Sequence, residues 1–305
     1  MYNWWHTMKT INYITCIFVK EGISAPQSSP MPDVQYHTIE SGLQYIASLQ
    51  KIGLSKFLIF GILQHKSIEA GCNGIVPFFV REARRRFGSS ITIIADVGLS
   101  PHREDGHSTI LVNCEIDEKA SYDAACELAV AFARAGVDAV APCLSLKYQV
   151  EKIRTALDEN KFQLTQIMAY SAKFSSSLYG PYRAVITSPL GATKKNYQTD
   201  YSDKYEALRQ IALDEFQKAD VVMVKPATMY LDIVFQARQL TQLPLAVYHV
   251  SGEYAMIKCA AKAGMIDEQE AFDEVHTAFE RCGVNLIIGY APEHFVRWRD
   301  QAESK

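Results

Sequence analysis

The stretch Val221-Val-Met-Val-Lys225-Pro226 decides the fold, because a short apolar run rich in β-branched residues stops abruptly on a charged residue and a proline. An apolar run without polar alternation is the pattern of a strand buried on both faces, as in a parallel sheet covered by helices. Seven other runs of this kind recur, at Ile14 to Val19, Phe57 to Phe60, Ile91 to Val97, Ala139 to Pro142, Gln166 to Ser171, Leu245 to Val250 and Leu286 to Tyr290. Helix-length segments lie between them, among them Ser121 to Ala135, Val150 to Leu157, Tyr205 to Gln217 and Glu268 to Arg281, with apolar residues three and four apart. Eight such units are what a closed (β/α)8 TIM barrel, an α/β fold, requires. A doubly wound open sheet is the alternative, but it would show a glycine-rich phosphate turn, and neither G-x-G-x-x-G nor a Walker pattern occurs.

Length and composition agree with one barrel. At 305 residues, 48% hydrophobic and 21% charged, the chain can bury a large core. The expected organisation is a single TIM-barrel domain over residues 1–305, with a short N-terminal arm at about 1–13 and a polar active-site lid at about 188–203. A net charge of −3 offers no general attraction for nucleic acid, and the one dense basic run, Arg84 to Arg86, reads as a solvated helix face. The seven scattered cysteines contain no C-x-x-C pair, no apolar run reaches the ~20 residues of a membrane span, and no signal-like start is present. A soluble cytoplasmic protein with reduced thiols is expected, with no membrane partner. Trp4, Trp5 and His6 are either an interaction arm or a frayed terminus.

Polar residues collect where the strands end, which is the catalytic face of a barrel. Asp96 closes the third run, Lys173 follows the fifth, Lys225 closes the sixth, Ser251 follows the seventh and Tyr290 closes the eighth. A lysine at the end of an apolar strand has its stem in the core, where loss of water disfavours the ammonium form. A second lysine in the same pocket opposes that charge further, and a neutral amine attacks a ketone to form an imine. The plain alternative is that either lysine pairs with Asp96 or Glu253, or reaches out to the barrel mouth.

Three ordered segments separate these readings. They are Ile167-Met-Ala-Tyr-Ser-Ala-Lys-Phe-Ser-Ser-Ser-Leu-Tyr-Gly-Pro-Tyr-Arg183, Met223-Val-Lys-Pro-Ala-Thr-Met-Tyr-Leu-Asp-Ile-Val234 and Ala246-Val-Tyr-His-Val-Ser-Gly-Glu-Tyr-Ala-Met-Ile-Lys258. All three resemble porphobilinogen synthase, also called 5-aminolevulinate dehydratase. Weaker similarity runs from Phe18-Val-Lys-Glu-Gly22 through Asp96-Val-Gly-Leu to Ile287-Ile-Gly-Tyr290, so it covers nearly the whole chain. The resemblance implies a hydro-lyase of tetrapyrrole (heme) biosynthesis that joins two 5-aminolevulinate molecules into a pyrrole through Schiff bases on two lysines. By that matching, Lys225 takes the substrate of the propionate side and Lys173 that of the acetate side. Ser251 and Tyr290 would hold the first carboxylate, and Arg183, Lys194 and Gln198 the second. Asp96 and Tyr179 would line the site and assist proton transfers, with structural hydrogen bonding as the alternative for both.

The chain also departs from that family. Where many members bind zinc through three cysteines, it has Gly98, Ser100 and Ser108, so active-site zinc is not expected and no cofactor is required. His102, Glu104, Asp105 and His107 in the same loop are the only other candidate cation ligands there. After the fourth strand, Ala141-Pro-Cys-Leu-Ser-Leu-Lys-Tyr-Gln149 lacks two acidic residues usual in the family, and Cys143 at that mouth is either a reactive thiol or a small buried side chain. Alternatives to the pyrrole synthesis are therefore a Schiff-base barrel enzyme acting on another amino ketone in a specialised pathway, and a catalytically silent relative with a binding or assembly role. The arm is short for a large assembly, and a homo-oligomer of at least two chains is expected.

Overall fold

In the computed structural model, residues 11–188 and 194–303 are described. Trp4, Trp5, His6, most of the expected arm and residues 189–193 of the expected lid lie outside them. Eight parallel strands form the barrel: β1 (Asn12–Lys20), β2 (Lys56–Ile62), β3 (Thr92–Val97), β4 (Ala139–Pro142), β5 (Gln166–Lys173), β6 (Val221–Lys225), β7 (Leu245–Tyr248) and β8 (Leu286–Gly289). Each pairs with its neighbours in chain order, and Asn12 to Thr15 of β1 pair with Leu286 to Gly289 of β8, which closes the ring. No sheet edge remains in the barrel itself.

The strands read as continuous apolar runs because alternate residues feed two different cores. Ile14, Phe18, Leu58, Phe60, Ile94, Met168 and Met223 pack inside the barrel. Ile17, Ile59, Ile93, Ile167, Val222 and Val247 face outward against the helices. Those helices include Ile39–Lys51, Ile75–Phe87, Glu118–Ala135, Gln149–Glu159, Lys204–Phe216, Leu231–Leu240, Ser251–Lys262, Glu268–Arg281 and Pro292–Glu303. Several begin on a side-chain cap that satisfies otherwise orphaned amides: Asp117 accepts from Ala120 N at 2.9 Å, Asp203 from Tyr205 N at 2.8 Å and Asp267 from Glu270 N at 2.8 Å. The Arg84 to Arg86 run is no basic patch, since Arg84 binds Asp138, Arg85 binds Glu82 and Arg86 binds Glu40.

The expected bounds of β4 and β6 match the structure, whereas β5 continues two residues past Ser171, to Lys173. The cause is a β-bulge. Val222 of β6 pairs with Ala169, but Val224 pairs with Ala172, so β5 carries one extra residue between them. The extra residue turns both Tyr170 and Lys173 toward the barrel interior, and it sets Lys173 directly opposite Lys225 in the register. β7 and β8 stop at Tyr248 and Gly289, slightly short of the expected Val250 and Tyr290. Among the described residues no helix is long and apolar enough to cross a membrane.

Candidate active site

The C-terminal mouth of the barrel is lined by Asp96, Lys173, Tyr179, Arg183, Lys194, Gln198 and Lys225, and by Gly98, Ser100, Ser108 and Cys143. Thus seven of the nine expected site residues share one cavity, and the other two adjoin it through Tyr182 and Tyr248. Ser251, the first residue of its helix, accepts a hydrogen bond from Tyr182 N at 3.0 Å and donates to Leu178 O at 3.3 Å. The Tyr290 hydroxyl lies 2.8 Å from that of Tyr248, which in turn lies 3.1 Å from Cys16 Sγ.

Lys225 sits in an aromatic box. Its amine is 3.9 Å from the ring centre of Tyr248, 4.7 Å from Tyr170, 5.5 Å from Tyr179 and 5.6 Å from Tyr182. Burial lowers its pKa from the ordinary 10.5 to about 8; the Lys173 charge acts in the same direction, and Asp96 opposes it. Ring faces favour the ammonium by about 0.5–2 kcal/mol, but taking an ion out of water costs several kcal/mol, so the downward direction holds. Neither lysine forms an ion pair among the described residues. Glu253, one of the expected partners, spends its carboxylate on the amides of Thr228 at 2.6 Å, Val250 at 2.7 Å and Ala227 at 3.2 Å. It thereby fixes the turn that follows Lys225 rather than neutralising the amine. Asp96, the other expected partner, is itself pushed up by burial and accepts from Gly98 N at 3.0 Å.

Lys173 donates to Cys143 O at 2.8 Å and Cys143 Sγ at 3.0 Å, and reaches Ser108 Oγ at 3.5 Å. From the far side Lys194 donates to Ser100 Oγ at 3.0 Å, and its pKa is lowered to about 7 by burial and by Lys173. The polypeptide at 194–199 is anchored by Thr199 N to Lys173 O at 3.2 Å and Ser175 N to Thr199 O at 2.8 Å. Arg183 Nε and Gln198 Oε1 are buried without a hydrogen-bond partner among the described residues. Of these two, the Arg183 Nε–H is a donor suited to a carboxylate, whereas Gln198 Oε1 is an acceptor. Tyr179 donates to Phe174 O at 2.8 Å and to Lys225 O at 3.2 Å, so its hydroxyl braces the ends of β5 and β6.

Sequence reasoning passed over Tyr170, Tyr182 and Tyr248, which read as ordinary core residues although they surround Lys225. Their signal was proximity in sequence: Tyr170 lies three residues before Lys173, Tyr248 three before Ser251, and Tyr182 directly before Arg183. Cys143, left open between reactive thiol and buried filler, touches the amine of Lys173.

A metal does not fit where the resemblance raised the question. Gly98 supplies no donor, and a Cβ there would meet Asp96 Oδ1 at 2.8 Å. Ser100 and Ser108 bind each other at 2.9 Å and face two lysines, a neighbourhood that repels a cation. The second candidate group is scattered: Asp105 is engaged by Arg103 and His107 N, His107 by Tyr197, and His102 is buried beside Gly71. No cluster of three His, Cys, Asp or Glu suited to a metal occurs among the described residues.

Comparison with known proteins gives the same reading from a different direction. The family model described as delta-aminolevulinic acid dehydratase matches residues 3–298. The dehydratase of Helicobacter pylori is 39% identical over 286 residues, covering 92% of this chain and 88% of its own. That of Escherichia coli is 37% identical over 290 residues, covering 93% and 89%. The solved structure of the Toxoplasma gondii enzyme, in complex with its reaction product porphobilinogen, superposes with a TM-score of 0.90 at 32% identity, covering 94% of this chain and 84% of that one. Dihydropteroate synthase from Stenotrophomonas maltophilia, at 11% identity and a TM-score of 0.57, shares the barrel alone. Two facing lysines at the mouth of a closed barrel, and similarity that runs almost from end to end, place this chain in the delta-aminolevulinic acid dehydratase family.

Proposed function

We infer that this chain condenses two molecules of 5-aminolevulinate to porphobilinogen, releasing two waters, with Lys225 and Lys173 as the Schiff-base residues. The observation that carries the assignment is the register of β5 and β6, which sets two buried lysines opposite each other with no acid paired to either among the described residues. Lys225 is assigned to begin the reaction, because burial leaves it a usable share of neutral amine near neutral pH. Holding both ketones as imines on adjacent strands fixes the reacting carbons and nitrogen in one geometry, which removes most of the entropic cost of bringing two substrates together. Imine formation also acidifies the neighbouring carbon.

Ser251 and Tyr290, which adjoin the Lys225 box, are assigned to one carboxylate, and Arg183, Lys194 and Gln198 to the other. Asp96, which accepts from Gly98 N and feels the charge of both amines, is assigned as the carboxyl for proton transfer, and Tyr179 is assigned a positioning role through the backbone it holds. The cavity as it stands encloses about 30 Å³, room for one or two waters. Substrate entry therefore requires the Lys194 to Gln198 side to swing away and to dock again over the bound ketone, which is the lid function assigned to residues 188–203. The donor set at Gly98, Ser100 and Ser108 supports a reaction that needs no zinc in this site. The free state of the cysteines accords with a cytoplasmic setting. Assembly with at least one further copy is part of the same reading, and Phe216 and Phe235, exposed by half or more on two neighbouring helices, are apolar surface that a second copy would cover.

The test is to incubate the purified protein with 5-aminolevulinate and identify the pyrrole by mass and by its colour reaction, before and after a strong chelator. Porphobilinogen in both samples is expected. Failure to form it from a folded protein would contradict the assignment, and loss on chelation restored by zinc would contradict the metal-free reading.

A further inference from the structure

Two buried serines join the lysines of the cavity into one chain of hydrogen bonds. Lys194 donates to Ser100 Oγ at 3.0 Å, Ser100 and Ser108 share a hydrogen bond of 2.9 Å, and Lys173 lies 3.5 Å from Ser108 Oγ. Both serines are almost fully buried, at 5% and 1% exposure, so no bulk water competes along this path. The lysines arrive from different elements: Lys173 ends β5, whereas Lys194 belongs to the lid side and is brought in with Tyr197, whose hydroxyl accepts from Ser108 N at 3.1 Å. The chain is therefore complete only while the 194–199 segment is docked.

We propose that Ser100 and Ser108 are a proton relay that lets Lys194 act as the general acid for imine formation on Lys173. The proposal rests on the two-imine reading above. When neutral Lys173 has added to the ketone, the carbinolamine hydroxyl must leave as water. Lys194 gives a proton to Ser100 Oγ, Ser100 passes its own to Ser108, and Ser108 passes its own to the departing oxygen. The carbon–oxygen bond breaks, the nitrogen lone pair closes the carbon–nitrogen double bond, and Lys194 is left neutral while Lys173 becomes a protonated imine. One positive charge moves across the cavity and none is added.

Charge economy is what the surroundings demand. Lys173, Arg183 and Lys225 all disfavour a proton on Lys194, Cys143 favours it, and His107 also faces it across the loop. An acid titrating at about 7 is matched to work near neutral pH. A hydroxyl is the right group between two amines because it accepts and donates at once.

The test is rapid-quench borohydride trapping with 5-aminolevulinate, resolving adducts on Lys173 and Lys225 by peptide mass, in wild type, S100A, S108A and S108T. The expected result is a Lys173 imine slowed about 100-fold or more in both alanine variants, with the Lys225 imine unchanged. The threonine variant, which keeps the hydroxyl, should recover the rate. In wild type the Lys173 step should lose its rate as Lys194 gives up its proton, at a pH above about 7 because the bound carboxylate favours the ammonium, and S100A should flatten that profile. Equal slowing on both lysines, an alanine variant as fast as wild type, or an unchanged pH profile would overturn the relay. Absence of any adduct in wild type would instead overturn the two-imine reading on which it rests.

Discussion

If the neutral amine of Lys225 is the first nucleophile, the rate of its imine formation must follow its own titration. At pH 7.5 an amine with the ordinary value of 10.5 is neutral about one part in a thousand, whereas one titrating at about 8 is neutral about one part in four. Burial in the tyrosine box thus supplies roughly a two-hundredfold gain in reactive amine, or about 3 kcal/mol. The sign is fixed by which form attacks: the rate should rise with pH and level off above about 8. Replacing Lys173 by Met removes one of the charges that hold the value down, so the K173M midpoint should move upward while the plateau rate stays the same. The assay mixes enzyme with less than one equivalent of 5-aminolevulinate, quenches with borohydride at intervals across pH 6 to 10, and quantifies the Lys225 peptide. A wild-type midpoint near the ordinary lysine value would refute the role given to burial. A K173M midpoint that stays put or falls would refute the coupling between the lysines.

The proposed binding of the second carboxylate by Arg183, whose Nε has no partner among the described residues, predicts a selective loss. R183M should raise the substrate concentration needed for the second imine by about 10- to 100-fold, the value of a charge-assisted hydrogen bond, and leave first-imine trapping unchanged. Asp214, fully buried on the helix behind β5, is pushed up from 3.8 to about 7 by burial. The folded state then binds the extra proton between those values, so stability falls as the pH rises from about 4 to about 7. D214N should accordingly raise the melting temperature at pH 8, by an amount corresponding to no more than about 4 kcal/mol, and give little gain at pH 4. An equal gain at both values would show that this carboxyl is not held neutral.

The barrel was legible because each strand buries both faces and so writes itself as an unbroken apolar run; Ala139 to Pro142 and Val221 to Lys225 end where the structure ends them. β5 was read two residues short, because Ser171-Ala-Lys173 carries no glycine or proline to mark its bulge. That omission hid the direct pairing of Lys173 with Lys225, since register between strands is a property of two segments and neither one contains it alone. The lysines themselves were legible, as charges closing apolar strands. Tyr170 and Tyr248 were not, because an aromatic residue inside a strand has the same appearance whether it fills a core or walls an amine. Ser100 and Ser108 were noticed only as the loss of something else, and their hydrogen bond, with lysines on both sides, needed coordinates to be seen.

The central claim is that both lysines carry substrate. It is tested most directly by saturating the protein with 5-aminolevulinate, reducing with borohydride and mapping the adducts by mass. The expected result is modification of Lys225 at low substrate and of Lys225 and Lys173 together at high substrate, with no other lysine labelled. A protein that turns over substrate yet yields no adduct on either lysine would contradict the account.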